Sequence, residues 1–182
     1  GYPMLGASGD GYGFAKDLGH KITNLYPAML PLISKESWVA SCRADTIAKV
    51  QLRIDLPKAK KLKAVGDLIF TSKGIRGPVV LDFSREITPF LEKYKEVPIL
   101  MNLIKGMNEE EVYAHIKKES NKNSDATILD NLSSILPLSV AKELCHLCHA
   151  DITSKFKNLS GKVREELVKI VVSTPLTITD HI

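Results

Sequence analysis

The spacing of hydrophobic residues changes from a strand-like to a helical period close to Gly106, and no other feature constrains the fold as strongly. Between positions 37 and 84, hydrophobic and polar residues alternate, as in the segment VQLRIDL at 50–56. Such alternation indicates strands with one buried face. After Gly106, hydrophobic residues recur about every 3.6 positions, which indicates amphipathic helices. The sequence therefore predicts an α+β fold in which the helices are segregated from the strands.

The chain is predicted to consist of a β-rich part interrupted by a helical insertion. Strands are predicted at 50–56, 66–71, 79–83, 97–104 and 176–179. Four helices are predicted, the first capped by Asn108, the second beginning at Asp125, the third running from Pro137 to Ile152, and the fourth capped by Ser160 and closed by Pro175. We therefore divide the chain into residues 1–32, a β-rich part at 33–105 plus 173–182, and a helical part at 106–172.

Composition and charge exclude several classes of protein. Hydrophobic residues make up 44% and charged residues 25% of the 182 residues, which is a globular composition. No apolar run approaches the roughly 20 residues of a membrane helix. A net charge of +4 is too small to imply a nucleic-acid partner. The three cysteines are an odd number and nothing resembles a secretory leader, so we expect reduced thiols in a cytoplasmic protein.

The segment CHLCH at 145–149 matches the C-x-x-C-H pattern of c-type haem attachment. It lies inside the predicted third helix, where Cys148 falls on the hydrophobic stripe. A buried cysteine packs as a small hydrophobic residue, so we predict a packing role and neither haem nor a metal site. A zinc site would need all its ligands to converge from one helical segment, whereas zinc ligands usually come from two separated pairs.

A second candidate is the lysine cluster at Lys58, Lys60, Lys61 and Lys63. It contains no aromatic residue on which a base could stack. We therefore predict a solvated edge that discourages strand pairing, in preference to a phosphate site.

The glycine-rich segment GASGDG at 6–11 precedes a predicted helix carrying Phe14 and Leu18 and ending at Gly19. A turn of small residues before a helix leaves backbone N–H groups free at the positive end of the helix dipole. Asp10 could accept a hydrogen bond from a hydroxyl or ring N–H of a ligand. It could equally cap a helix that begins at Gly11. The residues alone leave both roles open.

Two blocks stand out when these segments are taken together. The first comprises Tyr2-Pro3, GASGDGY at 6–12, Leu18-Gly19-His20 and PAMLPL at 27–32, and the second comprises GDLIFT at 66–71, Gly74-Ile75, Gly77-Pro78 and LDFS at 81–84. Together they resemble the central part of the BaiN-like NAD(P)/FAD-dependent oxidoreductases. The sequence departs from the family at Ser72-Lys73, which replaces a histidine-containing turn, and at Arg76, which replaces a serine.

That resemblance implies a small β-barrel-like subdomain with an inserted four-helix subdomain, and residues 1–32 as a stub of a FAD-binding fold. It implies that the chain covers the flavin and shapes a substrate pocket, with the FAD-binding domain of the same protein as its partner. The cofactor-binding residues that it implies are Gly6, Ser8, Gly9, Asp10, Gly11 and Tyr12. It names no catalytic residue and no metal, and the chain alone is expected to be inactive and to hold no FAD.

The start of the chain bears on this expectation. It begins at Gly1 without a methionine, in turn-forming sequence, so we expect a piece of a larger protein. A function of a different class stays open, a stand-alone binding module that uses the basic edge. A G-x-G-x-x-G segment encoded upstream in the same reading frame would favour the flavoprotein.

Overall fold

The computed structural model describes residues 6–104 and 106–182. Tyr2-Pro3, which contributes to the family resemblance, lies outside the described residues, as do Gly1, Met4, Leu5 and Lys105. Within the described residues, six antiparallel strands close into a barrel in the order β1-β4-β3-β2-β5-β6. The strands are β1 (Leu32–Ser34), β2 (Thr46–Ile54), β3 (Lys63–Phe70), β4 (Gly74–Arg76), β5 (Val97–Asn102) and β6 (Thr174–His181). An α+β fold with a barrel subdomain is therefore confirmed.

The alternating pattern of the sequence fills the barrel. Val50, Leu52 and Ile54 of β2 are fully buried, while Gln51 and Arg53 between them are partly exposed. The same alternation recurs on β5 and β6. The strands predicted at 50–56, 66–71, 97–104 and 176–179 are confirmed as β2, β3, β5 and β6, with ends that shift by a few residues. The lysines at 58–61 lie in the turn between β2 and β3.

Close backbone contact allows the short strands β1 and β4 to close the barrel. A Cβ atom on Gly74 of β4 would collide with the carbonyl oxygen of Leu32 and lie 2.9 Å from the Cα atom of Ile33. On its other side β1 adjoins β6, where the backbone N–H of Thr177 donates to both carboxylate oxygens of Glu36, at 3.0 and 2.9 Å. The carboxylate thus satisfies a backbone donor where the register of the β1–β6 pair shifts.

The strand predicted at 79–83 is wrong, because these residues begin a 17-residue helix, α2 (Pro78–Tyr94). Gly77, with φ of 107°, turns the chain away from β4, and Pro78 occupies the first helical position, where its missing N–H has no consequence. The buried positions then follow a helical spacing through Val79, Val80, Phe83, Ser84, Ile87, Thr88 and Leu91. The apolar residues of the segment VVLDF favour a strand when taken alone, whereas the wider spacing to Leu91 identifies a helix.

Helix α2 connects β4 to β5, which are not neighbours in the barrel. It contacts β2, β3, β4, β5 and β6. A helix along the outer wall of a closed barrel would reach only two or three adjacent strands, so α2 lies across one end. The helices are therefore not wholly segregated from the strands, contrary to the sequence prediction.

The helical part contains α3 (Glu109–Lys122), α4 (Ile128–Ser133), α5 (Leu138–Leu147) and α6 (Gly161–Val172), which confirms the four predicted helices. Asn108 caps α3 in a reciprocal box with Glu111, and Ser160 caps α6. Helix α4 begins later than predicted, because Thr127 caps it and not Asp125. Helix α5 ends before Ile152, and Pro175 lies in β6.

The barrel and the helices share one hydrophobic core. Buried residues from β2, β5 and β6 belong to the same cluster as Ile116, Leu144 and Leu167 of the helices. A polar contact adds to it, since the Ser139 hydroxyl of α5 donates to the carboxylate of Asp45, just before β2. In the described part of the chain, no helix has the length and apolar character needed to cross a membrane.

Candidate functional site

The predicted cofactor-binding residues lie in one turn and the helix that follows it, α1 (Asp10–Asp17). Gly9 adopts φ of 86° and reverses the chain, and the backbone N–H of Tyr12 donates to the carbonyl of Gly9 at 2.9 Å. Positive φ is a conformation that glycine adopts without a Cβ penalty. Helix α1 ends as predicted near Gly19, with the His20 N–H donating to the carbonyl of Ala15 at 2.9 Å.

All six predicted residues line one open concavity of about 450 Å³, together with Ala7. The six residues are Gly6, Ser8, Gly9, Asp10, Gly11 and Tyr12. Each of them is exposed in the chain as described. The turn therefore presents its backbone and small side chains to the outside of this chain.

The structure corrects one of the two roles considered for Asp10. The helix begins at Asp10, so Gly9 is the N-cap residue, and no side-chain capping bond is made. Asp10 is thus the first helical residue and not a cap. An acid in the first turn interacts favourably with the helix dipole, but an exposed one adds only about 0.3–1 kcal/mol. Packing within the described chain gives Asp10 no other task.

Two glycines weaken α1 with no compensating contact among the described residues. Gly11 and Gly13 both lie within this eight-residue helix. Glycine in a helix interior costs about 1 kcal/mol relative to alanine. A Cβ atom added at either position would meet no atom of the described residues within 4 Å. The backbone at these glycines is therefore open, and a group from outside the chain could approach it closely.

Helix α1 also has an apolar side that no described residue covers. None of its residues is buried. Phe14 exposes 65% of its surface, and Leu18, the residue just after the helix, exposes 78%. Singly exposed hydrophobic residues are common, but a whole helix without a buried face gains no stability from packing. Helix α1 therefore differs from the other helices, each of which buries a stripe.

The C-x-x-C-H segment lies at the end of α5. Cys145 and Cys148 are buried with free thiols, and burial raises the pKa of Cys145 to about 12 and that of Cys148 to about 11. The helix stops at Leu147, one residue before Cys148, and His149 takes a positive φ of 53°. These neutral thiols pack as hydrophobic residues. Within residues 6–104 and 106–182, no cluster of His, Cys, Asp and Glu side chains has the geometry of a metal site.

Two buried hydroxyl groups on α2, those of Ser84 and Thr88, were not anticipated from the sequence. Both bond to the segment that leads from α1 into the barrel. The signal was present in the sequence, since two polar residues at i and i+4 interrupt the apolar face defined by Phe83 and Ile87. The i and i+4 spacing of these two residues becomes apparent only when residues 78–94 are taken as a helix.

Comparison with known proteins places this architecture in a family. Residues 26–181 match the model of the "HI0933-like protein barrel and H2TH domain". The chain belongs to the HI0933-like family. The match covers the closed barrel and all four helices of the helical part, and it confirms the family resemblance predicted from the sequence.

A curated relative extends the comparison to the glycine-rich turn. The chain is 27% identical over 177 residues to the 3-dehydro-bile acid delta(4,6)-reductase of Clostridium scindens. The alignment covers 97% of this chain and 43% of the relative. This HI0933-like chain therefore spans less than half the length of the curated relative that it matches.

Proposed function

We propose that the chain is the barrel-and-helix domain of a FAD-dependent oxidoreductase. In this proposal it covers the flavin on the substrate side, and it needs the FAD-binding domain of the same protein for activity. The observation that carries the proposal is the alignment of 97% of the chain with 43% of a reductase, together with the family match over 26–181. Because the chain aligns with the reductase along nearly its whole length, we infer that it occupies the corresponding position in a longer enzyme.

The open turn supports a cofactor on this side of the chain. Among residues 6–104 and 106–182, a Cβ atom at Gly6, Gly11 or Gly13 would have no neighbour within 4 Å, so these small residues leave room that the described part of the chain does not fill. The turn requires a positive φ at Gly9. This conformation places Asp10 at the first position of helix α1. We assign Gly6, Ser8, Gly9, Asp10, Gly11 and Tyr12 to the flavin-facing surface.

The roles of these residues follow from their chemistry. FAD, when bound, would supply hydride transfer between a nicotinamide nucleotide, NADH or NADPH, and the substrate. The chain contributes binding and orientation. The carboxylate of Asp10 accepts a hydrogen bond from a hydroxyl or ring N–H, and the backbone of the glycines permits close approach. The apolar side of α1 packs against the FAD-binding domain, which excludes water from that boundary.

The substitution Asp10→Asn tests the cofactor role in the longer protein. It removes the charge and replaces one acceptor oxygen by a donor. We expect weaker retention of FAD, measured as flavin released per protein during gel filtration. The matched control is Asp17→Asn, at the other end of the same exposed helix, which we expect to leave flavin content unchanged.

Stability separates this role from a structural one. Asp10 makes no capping bond, so Asp10→Asn in the 182-residue chain should change the free energy of unfolding by well under about 1 kcal/mol. If flavin content and turnover of the Asp10→Asn protein match those of the unaltered protein, the cofactor assignment of Asp10 is wrong.

A further inference from the structure

Residues 25–31, the last part of the connection from α1 to the barrel, are held against α2 with little apolar packing. We call this segment the strap. Leu25 and Met29 expose 59% and 62% of their surface. A cavity of about 450 Å³ lies between the strap, α2 and the end of β6, lined among others by Tyr26, Leu91 and His181. The strap is therefore not fixed by a hydrophobic interface.

Two buried hydroxyl groups of α2 bind the strap, whose last residue, Pro31, also accepts a hydrogen bond from the backbone N–H of Ile182 at 3.1 Å. The hydroxyl of Thr88 donates to the carbonyl of Pro27 at 2.7 Å, and the backbone N–H of Leu30 donates to the hydroxyl oxygen of Ser84 at 3.2 Å. Ser84 is fully buried and Thr88 is 3% exposed. Because the two residues are four apart, they lie on one side of the helix and grip the strap at two points.

The backbone between these two points is strained. Met29 has φ of 59°, a left-handed conformation that residues other than glycine rarely adopt. Such a conformation persists where surrounding contacts hold it. Here the following residue, Leu30, is bonded to Ser84, so the grip and the strained turn are adjacent. The strap thus holds one defined conformation although this conformation strains the backbone at Met29. Such strain is unexpected in an exposed linker.

We infer that Ser84 and Thr88 are positioning residues that set the glycine-rich turn relative to the barrel. The strap is the part of the connection between α1 and β1 that enters the barrel, and α2 lies across the barrel end. Fixing the strap on α2 therefore fixes the point at which the segment that carries α1 and the turn at 6–12 leaves the barrel, with residues 18–24 between the strap and α1. The inference rests on the proposed function for its consequence, which is the alignment of the flavin with the barrel domain.

Amide hydrogen exchange of the 182-residue chain, followed by NMR, tests the grip itself. Thr88→Val keeps the branched shape and removes the donor, whereas Thr88→Ser keeps the donor. We expect exchange of the Leu30 amide to accelerate about five-fold or more in Thr88→Val and to stay within about two-fold in Thr88→Ser. The matched control is Thr174→Val, which removes a buried hydroxyl that bonds to the Ile170 carbonyl, away from the strap. Unchanged exchange at Leu30 in Thr88→Val would overturn the inference.

The same variants in the longer protein test the consequence. We expect the circular dichroism of the bound flavin to change in Thr88→Val, to recover in Thr88→Ser and to stay constant in Thr174→Val. If the Thr88 hydroxyl were merely structural, Thr88→Val and Thr174→Val would change the circular dichroism of the bound flavin to the same extent. That result would contradict the positioning role. Absence of flavin from the unaltered longer protein would overturn the proposed function, and with it the alignment of the flavin, while the exchange data would still report on the grip.

Discussion

Individual residues decide whether this barrel can close. The most constrained position is Gly74, where β4 passes so close to β1 that no Cβ atom fits. Its neighbours there are backbone atoms of Leu32, Ile33 and Ser34, which cannot move aside as a flexible side chain would. The requirement is invisible in the sequence, where Lys73-Gly74 indicates only a turn, because it depends on a contact between distant segments.

We expect Gly74→Ala to destabilise the chain by about 3 kcal/mol or more, because the barrel must open locally to admit the methyl group. Urea unfolding can be followed by the fluorescence of Trp38, the single tryptophan, whose ring lies 5.6 Å from that of Phe70. Gly161→Ala is the matched control, since a Cβ there meets nothing within 4 Å at the start of α6, and it should be neutral or slightly stabilising. Equal changes in the free energy of unfolding for the two substitutions would show that the close contact at Gly74 does not exclude a methyl group.

The three cysteines give the stability a dependence on alkaline pH. Burial raises the pKa of Cys42 to about 12, of Cys145 to about 12 and of Cys148 to about 11, from an ordinary value of 9.0. The unfolded chain therefore releases these protons at lower pH than the folded chain. The stabilisation is fully present below about pH 9 and is lost as the pH rises toward about 11–12.

We accordingly expect the free energy of unfolding to fall between about pH 9 and about pH 11, and to fall less steeply when the three cysteines are replaced by alanine. At pH 8 the native chain should not react with a thiol reagent, and the unfolded chain should react at all three positions. A native thiol that reacts as fast as an unfolded one would contradict the burial of these side chains.

At the scale of elements, the sequence predicts best where the pattern is long and locally determined. Strand β2 follows from its alternation, and α3 and α6 follow from their caps at Asn108 and Ser160. The strand prediction fails at α2, because the apolar run after Pro78 outweighs the spacing that extends to Leu91. The barrel is expected only from the family resemblance, and the residue pattern alone predicts neither its closure nor the two hydroxyl contacts to the strap, since these join residues far apart in sequence. The glycine-rich turn could be located, but its exposure could not.

The end of α2 offers a test of helix chemistry. Lys95 ends this helix in the left-handed conformation, with φ of 66°. Because glycine adopts this conformation without strain, Lys95→Gly should stabilise the chain by about 0.5–1 kcal/mol. Lys93→Gly, two residues earlier inside the last turn, should destabilise it by about 1 kcal/mol. Thermal unfolding would contradict the account if both substitutions shifted the midpoint in the same direction.

At the scale of the whole molecule, the chain combines a well-packed domain with a segment that lacks packing. The barrel and the helical part share a continuous core, whereas α1 buries none of its residues. The barrel and helices therefore form one packed unit, and under the proposed function the glycine-rich turn faces a neighbouring domain. The family match begins at residue 26, within the strap, so the division between the two behaviours lies close to that point.

The central claim is tested most directly by the absorption spectrum of two preparations, the longer protein and the 182-residue chain, purified in the same way. We predict stoichiometric flavin in the longer protein, bleached under anaerobic conditions by NADH or NADPH, and no flavin in the chain alone, because one exposed turn offers too few contacts to retain it. A longer protein without flavin, or a 182-residue chain that retains stoichiometric flavin, would contradict the account.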